Sequence, residues 1–121
     1  MGIAFDWSSF IELRGFTSRW EGMGCTDADL SRLQLDLLAD PTGWPLVPAT
    51  GGWRKARFAP PSWGIGKSGA VRVYYADLPE FGLMLLGTAF SKSQMTDLPA
   101  KDKKALGGLL AVYRRLFQGG S

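Results

Sequence analysis

The chain has 121 residues, 45% hydrophobic and 21% charged, the proportions of one ordinary folded domain that can bury a core without metal or disulfide staples. With no histidine and one cysteine, imidazole catalysis, histidine-containing metal sites, thiolate clusters and an internal disulfide are excluded. Residues 1–50 carry three Lys and Arg against seven Asp and Glu, a balance of −4, and residues 51–121 carry eleven against four, a balance of +7.

That asymmetry gives the second half a positive field, for which a polyanion is the natural partner; scattered lysines that only keep the domain in solution are the alternative. The amino terminus, MGIAFDWSSF, lacks the basic then apolar order of a secretory signal, and no apolar run approaches the roughly 20 residues of a membrane span. A cytoplasmic protein is expected, and the lone Cys25 agrees with a reducing compartment.

Ser9–Leu13 alternates apolar and polar residues and predicts a first strand ended by Gly15. Phe16 and Trp20, four apart, predict a short helix. Thr26 with Asp29 three residues later is a capping-box pattern, and Leu30, Leu33, Leu37 and Leu38 follow at helical spacing until Asp40-Pro41 stops the helix. Residues 41–52, rich in Pro, Gly and Thr, predict an irregular crossing loop. Trp53–Phe58, Ala70–Ala76 and Leu83–Ala89 then read as three strands of an antiparallel meander, joined by a loop at 59–69 and a turn at 77–82. Pro99 suits the first position of a last helix with Leu106, Leu109, Leu110, Tyr113, Leu116 and Phe117 on one face; Gly107 and Gly108 inside it imply close packing or a weakened end. Residues 118–121 read as a flexible tail.

The expected architecture is α+β, a single domain over residues 1–121. A small, mostly meander antiparallel sheet of about four strands has two N-terminal helices and one C-terminal helix on one face, leaving the other face open to a ligand.

Gly64-Ile65-Gly66-Lys67-Ser68-Gly69 matches a dinucleotide fingerprint by letter, but that motif works through a following helix N-terminus, and here a strand follows. A Walker A reading fails for the same reason, and because its first glycine position is Pro61. A flexible or phosphate-touching basic loop containing Lys67 remains.

The strand cations carry more information. Alternation puts Lys55 and Arg57 on one face of their strand and Arg54 on the other; Arg72 and Tyr74 share a face of the next; Lys92 lies just past the third. Converging cations on one sheet face make a phosphate-binding floor, whereas each taken singly reads as a solvated surface charge. Trp20 reads as core. Trp53 and Trp63 can stack on nucleic-acid bases, with core packing or a protein interface as the other reading. No carboxylate pair is placed for acid/base work, since Asp77 and Glu80 lie in a turn and Asp97 heads a helix, and Cys25 reads as a small packing residue.

Gly51-Gly52-Trp53-Arg54-Lys55-Ala56-Arg57-Phe58, then Gly66-Lys67-Ser68-Gly69-Ala70-Val71-Arg72-Val73-Tyr74-Tyr75, then Lys92-Ser93 and Asp97-Leu98 stand in an order and spacing that resemble the RelE/HigB toxins of bacterial type II toxin–antitoxin modules. The similarity spans nearly the whole chain, including Phe10-Ile11-Glu12-Leu13 and the Leu-rich helix before Asp40-Pro41. It implies a RelE-like fold and a metal-independent endoribonuclease, without cofactor, that cuts mRNA on the translating ribosome and arrests growth. The ribose 2′-hydroxyl attacks the adjacent phosphate while basic residues move protons and hold charge. By carry-over, Lys55, Arg57, Arg72 and Lys92 are catalytic, Lys55 or Lys92 for proton transfer and Arg57 and Arg72 as phosphate clamps; Trp53, Arg54, Trp63 and Lys67 are expected to be RNA- or phosphate-binding from their own positions beside the basic strand and in the glycine loop, not from the resemblance. The implied partners are mRNA, the ribosome and a cognate helix-turn-helix antitoxin. The tyrosine that close relatives of RelE carry near the carboxy terminus is absent from Thr96-Asp97-Leu98. That departure keeps open a non-enzymatic toxin-fold module acting with an antitoxin on operator DNA; a partner-binding fold with no nucleic-acid role is the third reading.

Overall fold

Two neighbouring segments, VRVYYADL and LMLLGTAFS, are apolar on both of their faces, and strands of that kind need cover on both sides. The computed structural model, which describes residues 9–64 and 70–119, shows how they obtain it. The elements run β1 (Ser9–Glu12), α1 (Arg14–Gly22), α2 (Asp27–Ala39), β2 (Trp53–Phe58), β3 (Val71–Leu78), β4 (Leu83–Ser91) and α3 (Ala100–Gly119), with short 3-10 turns at Pro61–Trp63 and Pro79–Phe81. The fold is α+β, as the element order predicts.

Two expectations change. β2, β3 and β4 form the antiparallel meander, but the sheet order is β1-β4-β3-β2 and β1 lies parallel to β4, so the sheet is mixed. Parallel neighbours need a long crossover, and α1, α2, β2 and β3 all intervene between β1 and β4. The helices also divide between the faces. Phe16 and Trp20 of α1 and Leu33 and Leu37 of α2 pack on Ala56, Val73, Tyr75 and Leu86, whereas Leu106 and Leu110 of α3 pack on Trp53, Tyr74, Ala76 and Leu85. The face expected to be open is therefore mostly covered by α3, because alternate residues of β3 and β4 are apolar on that side too.

Boundaries shift by small amounts for local reasons. Gly15 belongs to the first turn of α1, and β1 ends at Glu12. The carbonyl of Pro99 accepts the N–H groups of Asp102 and Lys103, so α3 begins one residue after Pro99; it continues through Gln118 to Gly119, residues expected in the tail. Gly107 packs on the Thr50 carbonyl, as close packing predicts, whereas Gly108 meets nothing. The 41–52 loop runs along the free edge of β2: Leu46 pairs with Arg54, and the Val47 N–H donates to the Trp53 carbonyl at 2.8 Å. Among the described residues no helix is long and apolar enough to cross a membrane.

The β3–β4 register slips between Tyr74, opposite Thr88, and Tyr75, opposite Leu86, leaving Gly87 as the extra residue of a bulge. The Trp53 ring lies over it. A Cβ on Gly87 would stand 2.7 Å from Cζ3 of Trp53 and 3.2 Å from Leu106 Cδ2. Gly87→Ala is expected to cost about 1–3 kcal/mol, the usual range for overpacking, read as a lower urea midpoint with an unchanged slope.

The capping box forms as the sequence predicts: Asp29 N–H donates to Thr26 Oγ1 at 3.1 Å and Thr26 N–H to Asp29 Oδ2 at 2.8 Å. Asp29 has a second task. Its buried carboxylate also accepts the Ser62 N–H at 3.0 Å and the Ser62 hydroxyl at 2.5 Å, tying the Pro61–Trp63 turn to the start of α2. Burial alone would raise the Asp29 pKa, but the bonds from Ser62 and Thr26 outweigh it and hold the group below the usual carboxylate value. A pKa lower in the folded than in the unfolded chain stabilises above the unfolded value, about 3.9, and the gain disappears as pH falls through the folded value. Asp29→Ala should therefore lose about 1–3 kcal/mol at neutral pH, and urea melts at decreasing pH should bring wild type and variant together.

Candidate functional site

Period-two alternation assigns the β2 side chains to opposite sides. Trp53 packs under α3 and Lys55 and Arg57 share its side of the sheet, while Ala56 and Phe58 join the core under α1 and α2. On β3, Tyr74 faces α3, and Arg72, two residues earlier, shares its side. The register then places Lys55 opposite Tyr74, Arg57 opposite Arg72, and Arg72 opposite Phe90 of β4. Where the cover of α3 gives out, at the Phe58 end of β2, a groove of about 280 Å³ remains. Lys55, Arg57 and Arg72 line it together with Trp44, Pro45 and Thr96.

Like charges directly opposite on paired strands destabilise a sheet, so the Arg57–Arg72 pair marks a position where a bound anion would be favourable. Both guanidiniums can offer forked donors to a phosphate. Lys92 stands further out. Its N–H donates to the Ala70 carbonyl at 3.0 Å, extending the ladder one residue beyond β4; its side chain is exposed and is not among those lining the groove.

A carboxylate missed as a site residue sits beside Lys55. Asp97 Oδ1 lies 3.4 Å from Lys55 Nζ and accepts the Tyr74 hydroxyl at 2.5 Å and the Leu98 N–H at 2.8 Å, while Oδ2 accepts Lys103 Nζ at 2.9 Å. Burial opposes its ionisation, but the bonds from Tyr74, Lys103 and Leu98 and the Lys55 charge hold its pKa well below the carboxylate range. Burial and the donation to Asp97 push the Tyr74 phenol up, so Tyr74 is a fixed donor and not a base. The common face of Arg72 and Tyr74 was legible from alternation; the pairing of Tyr74 with Lys55 comes from the register. Asp97 was not legible, because it reads as a helix head, whereas the helix starts at Ala100 and leaves Asp97 on the approach to it.

The remaining expected site residues lie elsewhere. Trp53 is 0% exposed, and its Nε1–H donates to the Leu106 carbonyl at 2.8 Å, so no base can stack on it; it is a core residue. Arg54 donates to the Thr42 and Trp44 carbonyls at 3.2 and 2.6 Å, which anchors the 41–52 loop instead of facing the groove. Trp63 packs half-buried against the α1 and α2 side of the core. Lys67 lies outside the described residues. Trp20 is core, as expected. Burial and the nearby Asp29 charge push the Cys25 thiol up to about 11, which agrees with a packing role. Among the described residues no three Cys, Asp or Glu side chains gather where they could hold a metal ion. A larger cavity of about 440 Å³, between α1, Gly87 and α3, is lined mainly by apolar side chains with Arg14, Arg19 and Asp102, and by none of the expected site residues. No protein-family model matches the chain.

Replacing exposed Arg57 by Thr, a good strand former, removes one member of the like-charged pair. The variant is expected to gain about 0.2–1 kcal/mol in urea denaturation at low salt, with the gain shrinking as salt screens the repulsion, and to bind single-stranded RNA more weakly.

Proposed function

We propose that this chain is the toxin of a type II toxin–antitoxin module, an endoribonuclease that cuts mRNA on the translating ribosome without a metal ion. The observation that carries the reading is the Arg57–Arg72 pair on adjacent strands with Lys55 in the same groove. The order of basic motifs that resembles the RelE/HigB toxins supports it.

In this reading a single-stranded message lies along the groove with one phosphate over the two guanidiniums. The ribose 2′-oxygen attacks that phosphorus as the bond to the 5′-oxygen breaks, leaving a 2′,3′-cyclic phosphate and a 5′-hydroxyl. Arg57 and Arg72 hold the charge that grows on the non-bridging oxygens. Fixed donors in a partly enclosed groove stabilise that charge better than water, which must reorganise. Lys55, at the inner end, serves proton transfer, and Lys92, at the sheet's outer end, serves the leaving group or the next phosphate of the strand. Trp53 has no part in base stacking, and the antitoxin is a separate helix-turn-helix protein that keeps the groove from RNA.

Inducible expression of wild type and Arg72→Ala in bacteria, with 5′ ends of a reporter mRNA mapped when it is translated and when it is not, tests this reading. New ends confined to the translated message, with a loss of about 10²- to 10³-fold in Arg72→Ala, are expected, together with relief of growth arrest. Folded wild-type protein that produces no new ends would overturn it in favour of a binding module, whose nucleic-acid affinity falls steeply with salt.

A further inference from the structure

The network around Asp97 asks more of this residue than helix capping does. The first-turn N–H groups of α3 at Asp102 and Lys103 are met by the Pro99 carbonyl, so the Asp97 carboxylate is not spent on them. Both its oxygens are instead used across three elements: Tyr74 from β3, Lys55 from β2 and Lys103 from α3. A carboxylate gripped at both oxygens cannot rotate. The two lysines are held unequally, Lys103 at 2.9 Å and Lys55 at 3.4 Å.

We infer that Asp97 is a positioning residue for the proposed nuclease: anchored by Tyr74 and Lys103, it keeps the Lys55 side chain at the groove and releases it to the RNA, where Lys55 serves proton transfer. The inference rests on the nuclease reading above. A lysine on four methylenes has many rotamers, and those that leave the groove are unproductive; a fixed anion beside it selects the productive ones. The fully buried Tyr74, cross-strand partner of Lys55, supports the carboxylate from below the floor. The local sum of charge also fits. Two ammoniums share one carboxylate, so the cluster keeps a net positive charge and Asp97 does not cancel the field that draws a phosphate. The longer contact to Lys55 makes it the lysine that exchanges partners, while Lys103 stays as the anchor.

Single-turnover cleavage of a translated message on purified ribosomes tests this with variants at Asp97, Lys55 and Tyr74, single and combined, each checked for folding by urea denaturation. Asp97→Asn keeps the acceptor for Tyr74 but removes the charge, and should lower the cleavage rate about 10- to 100-fold with little change in KM. Asp97→Glu should restore part of it. The loss must also disappear in a Lys55→Ala background, because a residue that acts through Lys55 has nothing left to position. Should Asp97→Asn fail to fold, Tyr74→Phe, which deletes the hydroxyl anchoring Oδ1, must show a smaller loss of the same non-additive kind. An Asp97→Asn, or in its place Tyr74→Phe, that cleaves at the wild-type rate, or that loses as much with Lys55 as without it, overturns the inference alone. A wild-type chain that cuts nothing overturns the nuclease reading, and the inference falls with it.

Discussion

Trp53 lying on Gly87 holds the rest of the structure in place. The bulge at Gly87 removes a side chain from β4 at the position where the largest side chain of β2 must lie, and the indole N–H then reaches the Leu106 carbonyl of α3. One residue thus joins the second strand, the fourth strand and the last helix. Because the contact is at the beginning of β2, α3 is docked over that end of the sheet, and the other end of the same face keeps its cations accessible. The groove is a consequence of where the helix is pinned.

The groove brings like charges together. Two arginines face each other across a strand pair, an arrangement that a purely structural sheet avoids. At the inner end Asp97 is shared by Lys55 and Lys103. The acidic balance of the first half of the chain lies largely in other elements, as in the helix-starting Asp27 and Asp29. The proposed phosphate chemistry rests on these facing arginines, since fixed donors stabilise a developing charge better than water.

Much of this was legible before any coordinates. The capping box at Thr26 and Asp29, the meander of β2, β3 and β4, and the common face of Lys55 and Arg57 all follow from local spacing. The second role of Asp29 did not, since Ser62 is thirty-three residues away and nothing near either residue announces the contact. Trp53 was misleading: beside three basic residues it resembles a stacking platform, and only the position of α3 shows that both of its faces are used. The closed second face has a signal in the sequence, the apolar character of both sides of β3 and β4.

Periodicity and composition by themselves determined the element types, the absence of imidazole and thiolate-cluster chemistry, and the side of its strand on which each cation stands. These are local properties, set by the dihedral geometry of strands and helices. Only the tertiary structure decided that β1 pairs parallel with β4, that α3 covers the face opposite α1 and α2, and that Asp97 meets Lys55. Each of these joins residues distant along the chain, and such contacts depend on how whole apolar faces find cover, which no short window of sequence contains.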